Sequence, residues 1–470
     1  TDTIRIAKTF EGVKTPAVFG TSERIFWRPK ADSMHINMMN KEQPFTMYDD
    51  STTSFKGNLL LTAKDLRGNG LLDWSEATLE SKDFAFHTMD LAADTAALNI
   101  KTTGDKVTFK TPNVNAKVDF KTRIGDFVSN QKNIPTEFSY NQYTTAINQF
   151  KWFMDEKILD FKAPPAGPGE YFTSTRPDQK GLKFLGKRAT YSLITSVLRV
   201  EQVPEIRVAD ASVIPDSGVV VIEAEAKMHQ LLNATIVADT INKAHRIEHA
   251  TVDIYSKEEL KGFGEYKYNT KDVKEVIVFD DVTCKKEKEG ERKKAHDIWQ
   301  LTAKSTIDKE KNFVLYPNVA FTGDVNLLSV NKYLNMKGYA QIDLKHAGVI
   351  SSDFLIDQDV NPDKLELKYG SEAKNENNNY VSSGIHLNPA EDVREMYATF
   401  MGSKKDGNDI TLFKSTGIIT QNAAGEYLYG DTGKIKNSNP RGNVLRYDDK
   451  KGIAKAEGDF NLGLNFGLIK

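Results

Sequence analysis

Cysteine is nearly missing from this chain of 470 residues: Cys284 is the only one. That excludes a disulfide within the chain and any cysteine-rich metal site. It fits a protein of an oxidising compartment that avoids free thiols, and a cytosolic protein almost as well. No run of ~18 apolar residues occurs, so no transmembrane helix is expected. No charge of one sign dominates either, with 63 basic residues against 65 acidic ones. A nucleic-acid footprint needs a basic excess on one face, so no nucleic-acid partner is expected. Gly-rich phosphate loops, G-x-S-x-G elbows and Cys/His nucleophile pairs are all missing. Carboxylates are plentiful, but nothing pairs two of them as acid and base. The reading from sequence is therefore of no enzyme, with no catalytic, cofactor-binding or metal residue and no cofactor. Hydrophobic residues make up 39% of the chain. That is a lean core, suited to thin β structure in which every residue lies near the surface.

What the chain has is a repeated phrase: a polar residue, Ala, Ser or Thr, then an apolar residue. It occurs at Glu76-Ala77-Thr78-Leu79, Arg188-Ala189-Thr190-Tyr191, Asp210-Ala211-Ser212-Val213, Asn233-Ala234-Thr235-Ile236 and His249-Ala250-Thr251-Val252. Strict alternation runs between the copies, with Val220, Ile222, Ala224, Ala226 and Met228 expected on one face. A small residue at a recurring inward position lets two sheet layers approach closely. Segments such as Phe55 to Leu61, Val107 to Lys110, Ala116 to Phe120 and Lys332 to Ile342 read as strands rich in β-formers. The fold class expected is all-β: an elongated, repetitive antiparallel β-sandwich, jelly-roll or β-solenoid with few short helices. Its radius of gyration should exceed the ~23 Å of a compact globule of this length.

Three regions are expected, an N-terminal β region 1–163, a central repetitive one 170–345 and a C-terminal one 346–470. The break between the first two is Ala163-Pro164-Pro165-Ala166-Gly167-Pro168-Gly169, read as a boundary or a long exposed loop. Asn388-Pro389-Ala390-Glu391 carries helix-start chemistry, with Val393, Met396, Tyr397, Phe400 and Met401 at helical spacing. A short helix near 389–401 competes with a strand from Met396 to Met401. The final residues Ala456 to Gly467 alternate again, as an outermost strand would. The polar tract Gly370 to Asn379 reads as a surface loop. The start at Thr1 reads as a processed or excised boundary of a longer parent protein.

Four features resemble functional motifs. His245-Arg246-Ile247-Glu248-His249 matches H-x-x-E-H, which needs both histidines on one helical face around zinc. Alternation continues directly through Ala250, Val252 and Ile254, so a strand-edge turn is the preferred reading. Asp65 to Glu76 nearly matches a calcium loop, with Asp65, Asn69, Gly70, Asp73 and Glu76 in place. Arg67 stands where an oxygen ligand is required, and a β turn is preferred. Asp357, Asp359, Asn361 and Asp363 read as a solvated loop, as does the charged run that Cys284 opens. Trp27, Trp74, Trp152 and Trp299 are spread along the chain and read as core anchors.

Several stretches together resemble very large cell-envelope proteins of Bacteroidota. They are Asp178 to Phe184, Val203 to Ile206 with Val208 to Ala211, Asn233-Ala234, Gly262 to Tyr268 and the final AEGDFNLGLNFG. The resemblance covers most of the chain and implies an internal portion of such a protein, extracytoplasmic, in the periplasm or at the outer membrane. In rhythm the chain also resembles OstA-type β-jelly-roll proteins of lipopolysaccharide transport, whose V-shaped layers form a groove for acyl chains. The expected role is a structural or scaffolding module that joins other envelope proteins by β-augmentation. A lipid-binding β groove of a transport bridge is the alternative. A zinc hydrolase using His245 and His249 is the remote one.

Overall fold

The computed structural model describes the chain apart from residues 1–2, 11, 22, 103–105, 132–134, 148, 240, 242, 271, 289–296, 391–394 and 463–470. Strands account for 61% of it and helical turns for 4%, so its cores are built by sheet packing on sheet. Pairing is antiparallel throughout the named ladders, and no barrel closes. Two compact units are present: Thr1–Thr235 with Thr251–Leu260, and Ile236–Ala250 with Lys261–Lys470.

The first unit has a simple rule of assembly. Five long strands succeed one another as hairpins: Asp50–Thr62, Leu66–Trp74, Ala77–Phe86, Asp90–Thr102 and Lys106–Asp119. The two outermost of them each serve two layers. Lys106–Asp119 pairs through Val114 to Asp119 with Ile124–Ser129, and through Phe109 and Lys110 with Thr136–Phe138. Asp50–Thr62 switches neighbours in the same way, from Phe45–Met47 to Ser33–Met38. The switch falls at Gly57, which lies opposite Gly70. A Cβ on Gly57 would sit 2.1 Å from the Asn69 carbonyl oxygen, so only glycine fits the crease. In the second unit Gly323 faces Gly338 under the same constraint.

Beyond these long strands, successive hairpins alternate between layers. One layer runs Ile124–Ser129, Gln149–Phe153, Ile158–Lys162, Arg188–Ser192, Val197–Glu201, Val220–Ile222. The other runs Thr136–Phe138, Tyr143–Thr145, Glu170–Ser174, Lys183–Gly186, Ile206–Val208, Ala211–Ile214. Rings from both layers fill the space between. Phe138 lies 5.4 Å from Phe161 and 5.1 Å from Tyr191, and Phe109 lies 5.2 Å from Phe150. All of these rings are buried. The alanine of every repeat phrase, Ala77, Ala189, Ala211, Ala234 and Ala250, is buried at 0–1% exposure, as its inward position required.

Several expectations are corrected or narrowed. The alternation from Val220 stops at Ile222, because Ala224–Ala226 forms a 3-10 turn with Glu225 at φ 57°, and Ala224 is exposed. Of the two readings of Pro164 to Gly169, the exposed loop is the one found, and it lies inside the first unit. Met396–Gly402 is a strand paired with Ser382–Leu387, which excludes a helix through those residues; Glu391 to Arg394 lie outside the described residues. Tyr, Thr and Phe prefer the pleated surface, and that preference outweighs the helix-start signal before them. Cys284 is buried on strand Lys274–Lys288, so the charged run begins inside a sheet and not in a loop.

In the second unit, strands Lys274–Lys288, Asp297–Ile307, Val319–Leu328, Leu334–Ile342 and Phe354–Val360 pair in sequence order. A five-stranded sheet, which contains Gly417–Gln421, Tyr427–Gly430 and Val444–Asp448, and a three-stranded sheet around Ser382–Leu387 complete the unit. Phe400 of the latter stacks near Tyr429 and Tyr447 of the former, at 5.5 and 4.2 Å. The α-helix among the described residues is Thr432–Asn437, capped by the Asp431 carboxylate. The final strand expected from Ala456 onward is not found: the last strand is Ile453–Glu457, Gly458 to Leu462 lie outside any strand, and residues 463–470 lie outside the described residues.

Candidate functional site

The H-x-x-E-H residues stand on strand His245–Ser256, not on a helix. Four residues apart on an unbroken strand the two rings would share a face, but the left-handed backbone at His249 breaks the alternation and gives them different surroundings. His245 is buried at 1% exposure, while His249 is exposed and sits at φ 49°, where the strand bulges. The Asn331 carbonyl can only accept, so His245 Nε2 carries the proton and donates to it at 2.7 Å. Nδ1 then accepts from the Tyr266 hydroxyl at 3.2 Å. Both nitrogens are thus committed to holding strands together. Burial lowers the basicity of this imidazole, against the pull of the Asn331 carbonyl. Glu248 turns away to Arg246 and Lys267, at 2.9 and 2.5 Å.

The near-calcium loop is also strand rather than a closed loop, because Leu66–Trp74 is one of the five long strands. Its acidic groups are spent on cations. Arg67 meets Asp65 at 3.4 Å and grips Asp83, Lys101 meets Asp73 at 2.8 Å, and Arg123 meets Glu76 at 2.5 Å. The third oxygen-rich stretch begins on strand Phe354–Val360, with Asp357 against Lys337, and turns at Asn361, whose side chain accepts from the Asp363 amide at 3.0 Å. No group of three or more metal-ligating side chains converges among the described residues.

Two surfaces of the first unit remain as candidates. One is an open cleft of about 620 Å³ where hairpin turns of the two layers face each other, lined by Glu76, Lys101, Tyr140, Trp152, Lys157 and Ile194 among others. It is closed beneath by two cross-layer contacts. Trp74 stacks on Trp152 at 6.1 Å, and Arg123 ties Glu76 to Asp155. These two tryptophans, distant in sequence, meet in the core; both indole N–H groups are buried without a hydrogen-bond partner. The interior behind them is filled with aromatic rings from both layers.

The second surface is strand Glu23–Arg28. It pairs on one side with Ser33–Met38, and among the described residues nothing pairs with its other side. After Glu23 all five residues are exposed. Ile25 lies opposite Ile36, which is fully buried, so Ile25 and Trp27 belong to the inward face, yet they are 41% and 67% exposed. Trp27 is therefore not the core anchor its type suggested. It borders a cavity of about 160 Å³ with Val13, Met34 and Leu61. Ile25, Phe26 and Trp27 are contiguous, so no period-two alternation marks this segment, and the bareness of its outer side is a tertiary fact with no sequence signal.

A third cluster, in the second unit, is buried and polar. His386, fully buried, touches Thr399 Oγ1 at 3.0 Å and Thr411 Oγ1 at 3.3 Å. Burial first, and Lys404 second, push its basicity down to about 4. Beside it the Tyr397 hydroxyl donates to Asp409, which holds that carboxylate below its usual range, while burial first of all raises the phenol to about 12. The hydrogen bonds of His386 and Tyr397 cross to neighbouring segments, which is the pattern of a packed polar core. Asp409 Oδ1 is buried without a hydrogen-bond partner among the described residues.

Comparisons with protein-family models, with curated proteins and with solved structures return no match.

Proposed function

We propose that this chain is a non-catalytic scaffolding module of an extracytoplasmic envelope complex, joining other envelope proteins through exposed sheet edges. The observation that carries the reading is the bare edge of Glu23–Arg28, with inward-facing Ile25 and Trp27 left uncovered. Folded proteins blunt such edges with charge, proline or bulges, because an unpaired edge recruits further strands. This one carries charge, Arg24 and Arg28, on one face and Pro29 after its end, but its other face presents the apolar Ile25 and Trp27 where a neighbour would cover them. Filled layers support the scaffold over a lipid groove, since rings occupy the volume that acyl chains would need.

The test is a gentle pull-down of the tagged chain from native envelopes, with mass spectrometry of proteins and lipids. Stoichiometric protein partners are expected, lost when Ile25→Lys places a charge on the inward face of the edge. Lipid enriched with the chain, and lost when the buried Ala234→Asp is introduced, would overturn the reading in favour of the groove.

A further inference from the structure

The edge also specifies what it accepts. On the face opposite to Ile25 and Trp27, strand Glu23–Arg28 presents Arg24, Phe26 and Arg28, and Lys30 lies in the adjoining turn. All are exposed. None of the three cations meets an acidic group among the described residues, whereas Arg67, Lys101, Arg123 and Lys151 elsewhere in the unit each do. The neighbouring strand adds no acid on that face, where His35 and Asn37 lie opposite Phe26 and Arg24. An incoming strand extends both faces at once. Toward the interior it must bring apolar side chains to cover Ile25, Trp27 and the small cavity beside Met34 and Leu61. Toward solvent it meets unpaired guanidinium groups, which favour carboxylates in cross-strand positions and penalise further cations.

We infer that the Glu23–Arg28 edge receives an extended segment of a partner protein in which apolar and acidic residues alternate. This inference rests on the scaffolding reading for its setting, while its chemistry comes from the edge alone. Period-two alternation is essential to it: a segment of the same composition in blocks cannot put its apolar groups on one face and its charges on the other.

The test uses the whole chain and three capped eight-residue peptides: alternating Val and Glu, alternating Val and Lys, and a Val block joined to a Glu block. Fluorescence anisotropy should show the alternating acidic peptide binding at least tenfold tighter than either of the others. Arg24→Glu combined with Arg28→Glu should reverse the order of the two alternating peptides. Both positions are exposed and form no ion pair among the described residues, so thermal unfolding of this variant should match that of the parent. Equal binding of alternating and block peptides, or an order unmoved by the double reversal, would overturn the inference. Its failure is separable from that of the scaffolding reading. Partners still recovered in the pull-down with the reversed chain, alongside indifference to the peptides, would sink the acidic strand and leave the scaffold standing. Correct peptide order with no partner in the pull-down would do the opposite.

Discussion

The layered sandwich of the first unit and the terminal sandwich of the second reach the same architecture by different cohesion. Around Phe138 the contacts are rings on rings, edge to face or tilted and without partners that ionise near neutral pH. Around His386 they are directed hydrogen bonds among His386, Thr399, Thr411, Tyr397 and Asp409. The first kind stabilises through the amount of surface buried. The second adds dependence on the solvent's pH, because a buried polar group is favourable only in one protonation state.

Truncating the aromatic side of this comparison should have the largest effect. Phe138→Ala removes a fully buried ring that touches Phe109, Phe161 and Tyr191, and should cost about 3–5 kcal/mol in denaturant unfolding. The effect should be the same at pH 5 and pH 8. On the polar side, acid should do the work of a mutation. His386 titrates near 4 when folded and near 6.5 when unfolded, so the unfolded chain binds the proton first. Its contribution is complete above pH 6.5 and is lost as the pH falls from there toward 4, up to about 3 kcal/mol. Asp409, held low chiefly by the Tyr397 hydroxyl, shifts stability in the same direction as its carboxylate is protonated. His386→Gln should flatten the slope between pH 6.5 and 4; an unchanged slope would mean that the polar core does not carry the acid sensitivity. The smallest effect belongs to the bare edge. Trp27→Ser should change unfolding by less than about 0.5 kcal/mol, because the ring is already 67% exposed, while abolishing capture of partners. A large loss of stability there would mean that Trp27 belongs to the core after all.

Much of this fold was legible because the strand period is two and the core residues obey it. The five phrase alanines are all inward, and Val107 to Lys110 and Ala116 to Asp119 are indeed paired strand. The misses come from places where alternation is interrupted by backbone rather than side chain. Glu225 and Ala226 in left-handed conformation break one predicted face. Asn233 and His249 adopt it inside strands and shift the face of the residues after them, and neither type announces a bulge as glycine would. The layer switch at Gly57 and Gly70 was hidden for another reason. Both glycines were visible, but a steric fit between two backbones is a property of the pair. The candidate edge was the least legible of all, since Ile25 and Trp27 look like any inward strand residues until the missing neighbour is seen.

The alternation of hairpins between layers carries a consequence for how such chains change length. Strand Ile158–Lys162 does not pair with the next hairpin but with the one after it, Lys162 meeting Arg188 and Ile158 meeting Ser192. The intervening hairpin, Glu170–Ser174 with Lys183–Gly186, belongs to the opposite layer. Losing a single hairpin would deliver every later one to the wrong layer and turn its apolar face outward. Losing or duplicating two in tandem preserves parity. Descendants of this architecture should therefore grow and shrink by even numbers of hairpins, and a family tree of such proteins should show lengths that step by the pair.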